Sequence, residues 1–192
     1  MTLWAPGLAV HLETERFRLR TLARADASQR FLDWSADVEI KRNLNLGPRR
    51  LTADELCRYI EDFDNQTRFL LGIFDKANDL HIGIYAVYFD PLHAAAETIV
   101  VIGDRDYWGK KVVIETRSAL IEFLFERVGI EKVWGRPLAR NFAAVYNYRA
   151  LGFTCEGVLH KQLRAPDGTR VDQYFFGLLR DDWRARKPKT GS

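Results

Sequence analysis

The 192 residues are 47% hydrophobic and 29% charged, with a formal net charge of +3; this fits one globular domain, expected over residues 1–190, that builds its core without disulfides. Cys57 and Cys155 stand far apart, with no CxxC and no metal-spaced histidines, which argues against a disulfide scaffold or a metal site. No apolar run approaches the roughly 18 residues of a membrane span, and the positive excess gathers in a C-terminal tail (Arg184, Arg186, Lys187, Lys189) that reads as a solvated end rather than a nucleic-acid arm.

The chain opens on Met1-Thr2-Leu3-Trp4-Ala5-Pro6, without a basic or apolar leader, so a cytoplasmic protein with no membrane partner is expected. Phe17-Arg18-Leu19-Arg20 alternates apolar and basic residues, the period of a half-buried strand. A helix is expected from about Ala25 to Val38, since Phe31, Trp34 and Val38 recur at helical steps. Thr52-Ala53-Asp54-Glu55 is a capping box that opens a second helix toward Phe63. Strands follow over Arg68 to Phe74 and His81 to Phe89, joined by the polar turn Lys76-Ala77-Asn78-Asp79.

Glu97 to Ile102 is a β-branched strand that ends at Gly103. Asp104 to Lys111 is a turn, and Val112 to Val128 an uninterrupted helical pattern. A strand that breaks into a glycine-bearing turn and then opens a helix presents unpaired N–H groups at a positive dipole end, a ready site for a phosphate-bearing ligand. A short strand (Lys132 to Pro137) and a helix (Asn141 to Leu151) come next. Two last strands, Glu156 to Arg164 and Arg170 to Leu179, are hinged by Ala165-Pro166-Asp167-Gly168, with the final Gly191-Ser192 read as a cloning remnant. The order implies a mixed α/β fold: a mostly antiparallel sheet of about seven strands, helices on both faces, and one parallel crossover between Glu97 and Pro137. Strands splay where pairing changes direction, and that crevice is the expected ligand entrance.

Gly103, five residues, then Gly109-Lys110 resembles a nucleotide P-loop only superficially. That loop needs four intervening residues and a Ser or Thr after the lysine, and Lys111 stands there. The order of elements and two segments instead resemble the GNAT superfamily of acetyl-CoA-dependent N-acetyltransferases, and are similar to the branch acting on ribosomal-protein N-termini and to related enzymes that modify amino-sugar nucleotides. The first segment, Asp106-Tyr107-Trp108-Gly109-Lys110-Lys111, falls on the family's Q/R-x-x-G-x-G/A diphosphate loop. It departs from the pattern at Asp106, with Arg105 one place early, and at Lys111. The second is the family's N-x-x-A/S-x-x-x-Y-x-x-x-G-F, matched by Asn141, Ala144, Tyr148, Gly152 and Phe153.

The resemblance implies acetyl-CoA as co-substrate, no metal, and an amine acceptor that is a small molecule such as an amino sugar or a peptide N-terminus. It implies pantetheine pairing beside Val100, Val101 and Ile102, a diphosphate over residues 106 to 111, and oxyanion donors near Val101. Asn141 is a helix N-cap by position, and the resemblance adds a hydrogen bond near the pantetheine arm. Tyr148 shares a helical face with Ala144 and Leu151; the resemblance makes it the acid that protonates the departing thiolate. Glu97 is either a surface carboxylate or the general base. Glu115, in the first turns of the long helix, opposes the dipole and can pair with Lys111. Phe175 and Phe176 offer an edge for a homodimer. A coenzyme-binding regulatory module with weak or lost turnover is the alternative, motivated by Asp106 and Lys111. No segment carries a pattern diagnostic of the acceptor.

Overall fold

A computed structural model describes residues 4–47 and 49–186. Lys187 and Lys189 of the basic tail and the Gly191-Ser192 pair lie outside the described residues. Strands β1 (His11–Glu13) and β2 (Phe17–Thr21) lead into helices α1 (Gln29–Ala36), α2 (Val38–Leu44) and α3 (Ala53–Glu61). The hairpin strands β3 (Arg68–Asp75), β4 (Leu80–Asp90) and β5 (Ala95–Ile102) follow, then α4 (Val112–Phe123), β6 (Lys132–Gly135) and α5 (Phe142–Ala150). Strands β7 (Thr154–Arg164) and β8 (Arg170–Leu179) and helix α6 (Arg180–Arg186) close the described chain.

All strands join one eight-stranded sheet in the order β1-β2-β3-β4-β5-β6-β8-β7. The extra strand beyond the seven read from the sequence is β1, whose three residues pair with β2 through His11↔Arg20 and Glu13↔Arg18; three residues are too few to show a period. The helix expected from Ala25 to Val38 divides at Asp37. There the backbone turns extended (ψ 122°) and the carboxylate accepts the N–H groups of Glu39 and Ile40, capping α2. The long helical run leaves α geometry after Phe123 and ends in a π turn over Leu124–Val128 before Gly129.

Strand alternation sends side chains to two cores. On one face α1, α2 and α3 bury Phe31, Trp34, Ile40, Leu56 and Ile60 against Leu70, Phe74, Ile84 and Ala86. On the other, α4 and α5 bury Val112, Leu120, Ile121, Val145 and Tyr148 against Tyr85, Val87, Ala96 and Val133. Each fully buried large side chain contributes about 1.5–3 kcal/mol, so truncating Leu56, with 0% exposure, would cost about 2–5 kcal/mol. The proposed dimer edge at Phe175 and Phe176 needs correction. Strand β8 lies inside the sheet with β7 outermost; Phe176 is fully buried, and Phe175 stacks on Trp134 at 5.2 Å.

The feature that positions the site is a parting of strands. β5 and β6 run parallel only from Ala95↔Lys132 to Glu97↔Trp134. Beyond that point β6 ends at Gly135, and Pro137 carries no N–H to continue a ladder. Residues Thr98 to Ile102 stay paired with β4 on their other side, through Thr98↔Val87 to Ile102↔Gly83.

Candidate functional site

The parting opens into a cleft of ≈ 350 Å³. It is lined by Val100, Val101 and Ile102 of β5, by Tyr107, Trp108, Gly109 and Lys111 of the turn, and by Asn141 at the start of α5. Sequence reading missed three contributors. Helix α2 supplies Ile40 and Leu44, α5 supplies Ala143 and Asn147 beside the Ala144 of the second motif, and α4 supplies Arg117. The last stands among Glu115, Thr116 and Ser118, and nothing in that local pattern singles it out. Asp106, Lys110, Tyr148 and Glu97 lie outside the cleft lining.

The main-chain geometry of β5 sorts its three residues. The Val101 carbonyl points at β4, close against the place where a Cβ on Gly83 would sit, so its main chain is spent on the β4 ladder and gives no oxyanion donor in the cleft. By alternation, Thr98, Val100 and Ile102 turn theirs toward the parting. The Thr98 carbonyl there accepts the Tyr148 hydroxyl at 3.3 Å, and the Ile102 carbonyl accepts the Trp108 indole N–H at 2.8 Å. Val100 lies between them.

The turn after β5 uses part of its own donors. Asp104 accepts the Asp106 N–H at 3.0 Å, and the Tyr107, Trp108 and Lys110 N–H groups donate to the carbonyls of Asp104, Arg105 and Tyr107. Among the described residues, the N–H groups of Gly109 and Lys111 to Ile114 find no protein acceptor. The free row therefore reaches three residues beyond the 106–111 window, onto the first turn of α4. Lys111 is the N-cap of α4 but offers no capping side chain. Gly109 (φ 75°) and Lys111 (φ 59°) are both left-handed. Glycine adopts that backbone freely and lysine at a cost.

The neighbouring charges brace this turn. Arg105 bonds Asp37 through its Nε and one terminal nitrogen, both at 2.9 Å, and reaches Glu39 at 3.4 Å. This pairing, with the two α2 N–H groups, holds the Asp37 carboxyl below its ordinary range against the opposing effect of burial. Lys110 lies over the Tyr107 ring at 5.5 Å, and its carbonyl accepts from Arg16. Glu115 pairs not with Lys111 but with the turn between β1 and β2. It accepts from Thr14 Oγ1, the Arg16 N–H and Arg16 Nε at 2.7, 2.8 and 2.7 Å. Burial raises its pKa, and these bonds more than offset that, leaving it lowered.

Tyr148 sits beneath the cleft floor, 4% exposed, stacked on Phe176 at 5.1 Å and edge-on to Phe153 at 4.9 Å. Its hydroxyl enters the fork where β5 leaves β6, and Gly135 lacks the side chain that would block it. Asn141 accepts the Ala144 N–H at 3.1 Å, the cap its position implied. Glu97 occupies the last paired position of the fork, on the strand face opposite Thr98 and across from Tyr88. Both its oxygens face the Arg136 guanidinium, at 3.2 and 3.4 Å. Burial first, and the Glu97 charge second, push the Tyr88 hydroxyl up. The structure thus brings Glu97 and Tyr148 to one fork from opposite faces of β5.

These residues suit a coenzyme with an anionic end and an amide-bearing arm: free N–H groups at a helix start, a strand edge without a partner, and a cleft between them. Among the described residues no group of His, Cys, Asp or Glu could hold a metal, and no helix is long and apolar enough to cross a membrane.

Residues 16–154 match the acetyltransferase (GNAT) domain. The chain is 28% identical over 178 residues to the uncharacterized N-acetyltransferase p20 of Bacillus licheniformis, covering 90% of this chain and 97% of that protein. Its fold is shared by a spermidine N-acetyltransferase from Vibrio cholerae solved with CoA and spermine (TM-score 0.79, 19% identity, 88% of this chain and 98% of that one). It is shared also by a ribosomal-protein-S5-alanine acetyltransferase from Vibrio fischeri (TM-score 0.76, 21% identity, 93% and 100%). At such identities the two structures speak for the fold alone.

Proposed function

Since the chain belongs to the GNAT family and is an acetyl-CoA-dependent acetyltransferase, we propose that it acetylates a primary amine directly, with coenzyme and acceptor held together across the β5–β6 fork. The observation that carries this reading is the strand parting beside the uncapped start of α4. When bound, the coenzyme supplies an acetyl group activated as a thioester.

The chain's own groups divide the work. The N–H groups of Gly109 and Lys111 to Ile114 hold the diphosphate, aided by the helix dipole and the Lys111 charge. Val100 offers main-chain pairing to the pantetheine arm, and Asn141 lines the same passage. Glu97 takes the proton from the ammonium of the acceptor, directly or through water, so that the amine can attack. Tyr148 returns a proton to the departing sulfur, while Thr98 holds its hydroxyl at the fork. Positioning two reactants in one crevice supplies a large part of the rate.

The acceptor is a small-molecule amine or a peptide N-terminus. The named activities of the two structural neighbours, on spermidine and on a ribosomal-protein alanine, span that range. Calorimetry with acetyl-CoA, followed by thiol release over a panel of amines, tests the reading. Binding with turnover on an amine supports it, binding without turnover favours a regulatory module, and no binding refutes both.

A further inference from the structure

Arg117 stands on the inward face of α4 with 2% of its surface exposed. A guanidinium stays charged in proteins and carries five donors. Such a charge is normally buried only when a carboxylate answers it. Among the described residues no ion pair joins Arg117 to a carboxylate, and its Nε has no hydrogen-bond partner. Its neighbours are aromatic: its Cζ lies 4.5 Å from the centre of the Tyr148 ring and 5.8 Å from that of Tyr85. Burial pushes the Tyr85 hydroxyl up despite the guanidinium beside it, so Tyr85 stays neutral and supplies no counter-charge.

Arg117 also lines the cleft. It lies five residues past Val112, about 7.5 Å along the helix from the free N–H groups, and beside the tyrosine at the fork. A buried cation that no protein anion neutralises, facing a ligand cleft, marks where a ligand carries negative charge.

We propose that Arg117 holds the negative charge that develops on the coenzyme sulfur, a role that rests on the acetyl-transfer reading above. As the amine nitrogen bonds the acetyl carbon, the carbon–sulfur bond breaks and its electron pair stays on sulfur. The nitrogen, which has already given one proton to Glu97, sheds its second through water to the Tyr148 oxygen, which has passed its own proton to the sulfur. Arg117 keeps all its protons and provides a fixed positive charge, already in place before reaction, in a site shielded from water.

The test uses free CoA, labelled with carbon-13 at the methylene beside sulfur, and reads ionisation of its thiol by NMR as pH is raised. Bound to the protein, the thiol should ionise about one pH unit or more below free CoA. Arg117→Met should bind CoA and lose that shift, and it should melt no lower than the parent, since no ion pair is broken. Arg117→Gln, polar and neutral, gives the same reading if the methionine variant does not fold. Bound CoA with an unshifted thiol, or an equal shift in parent and variants, overturns this inference alone. Absence of CoA binding to the parent protein removes the functional reading as well.

Discussion

Gly135→Ala tests the fork with a single methyl group. A Cβ there would stand 2.8 Å from Tyr148 Cζ, nearer still to the hydroxyl oxygen, and 3.3 Å from the Thr98 carbonyl. The ring cannot simply slide aside, because Phe176 stacks against it at 5.1 Å and Arg117 lies over it at 4.5 Å. Overpacking of this kind costs about 1–3 kcal/mol, and replacing a strand glycine returns about 0.5–1 kcal/mol. A net loss of about 0.5–2 kcal/mol lowers the melting temperature by a few degrees. The hydroxyl should move by about 1 Å, which costs on the order of 100-fold in turnover, while acetyl-CoA affinity holds. Tyr148→Phe alone should lower kcat by about 10²–10⁴-fold and stability by about 1 kcal/mol. In the double variant the nearest clashing atom is gone, so its stability loss should be smaller than the two single losses added, by about 0.5 kcal/mol or more. Melting curves, calorimetry and thiol-release kinetics read these quantities. Parental turnover in Gly135→Ala, or strict additivity in the double variant, would refute the placement of Tyr148 in the reaction.

Glu115→Gln should cost about 2 kcal/mol at neutral pH, because three donors lose a charged acceptor. The folded pKa is lowered from 4.5, so the carboxylate's contribution is complete above that value and fades as pH falls through the folded one. Urea melts should therefore show the gap between parent and variant closing below about pH 4.5, and a gap constant with pH would contradict the assignment. Lys111→Gly relieves a left-handed lysine (φ 59°) but removes a cation from the cleft; acetyl-CoA should bind about fivefold more weakly, with a shallower salt dependence. An unchanged dissociation constant would take the lysine out of coenzyme binding. Glu97→Gln should reduce turnover at neutral pH by about 100-fold with coenzyme affinity intact; full activity would pass the role of base to water or another group.

Long elements with a strong period and local chemistry were legible in the sequence. Thr52 and Glu55 cap α3 reciprocally, Asn141 caps α5, and the antiparallel-to-parallel change falls at β5 and β6. What escaped depends on contacts remote in the chain or on single backbone angles. The partner of Glu115 is Arg16, far back in sequence, so local spacing pointed to Lys111 instead. The break at Asp37 interrupts an apolar pattern that itself continues unchanged. Which carbonyl of Thr98, Val100 and Val101 faces the cleft is decided by register, and that no composition or motif reveals. Arg117 reads as an ordinary surface cation until the fold surrounds it.

The clasp of Arg105 on Asp37 and Glu39 has a mechanical consequence. Asp37 is also the cap of α2, which walls the far side of the cleft. With the coenzyme placed as proposed above, steadying the turn at residues 104–111 stiffens the opposite lip, and the two substrates should load in order, coenzyme before amine. Hydrogen exchange along residues 38–44 would slow on coenzyme addition, and Arg105→Ala would uncouple that response.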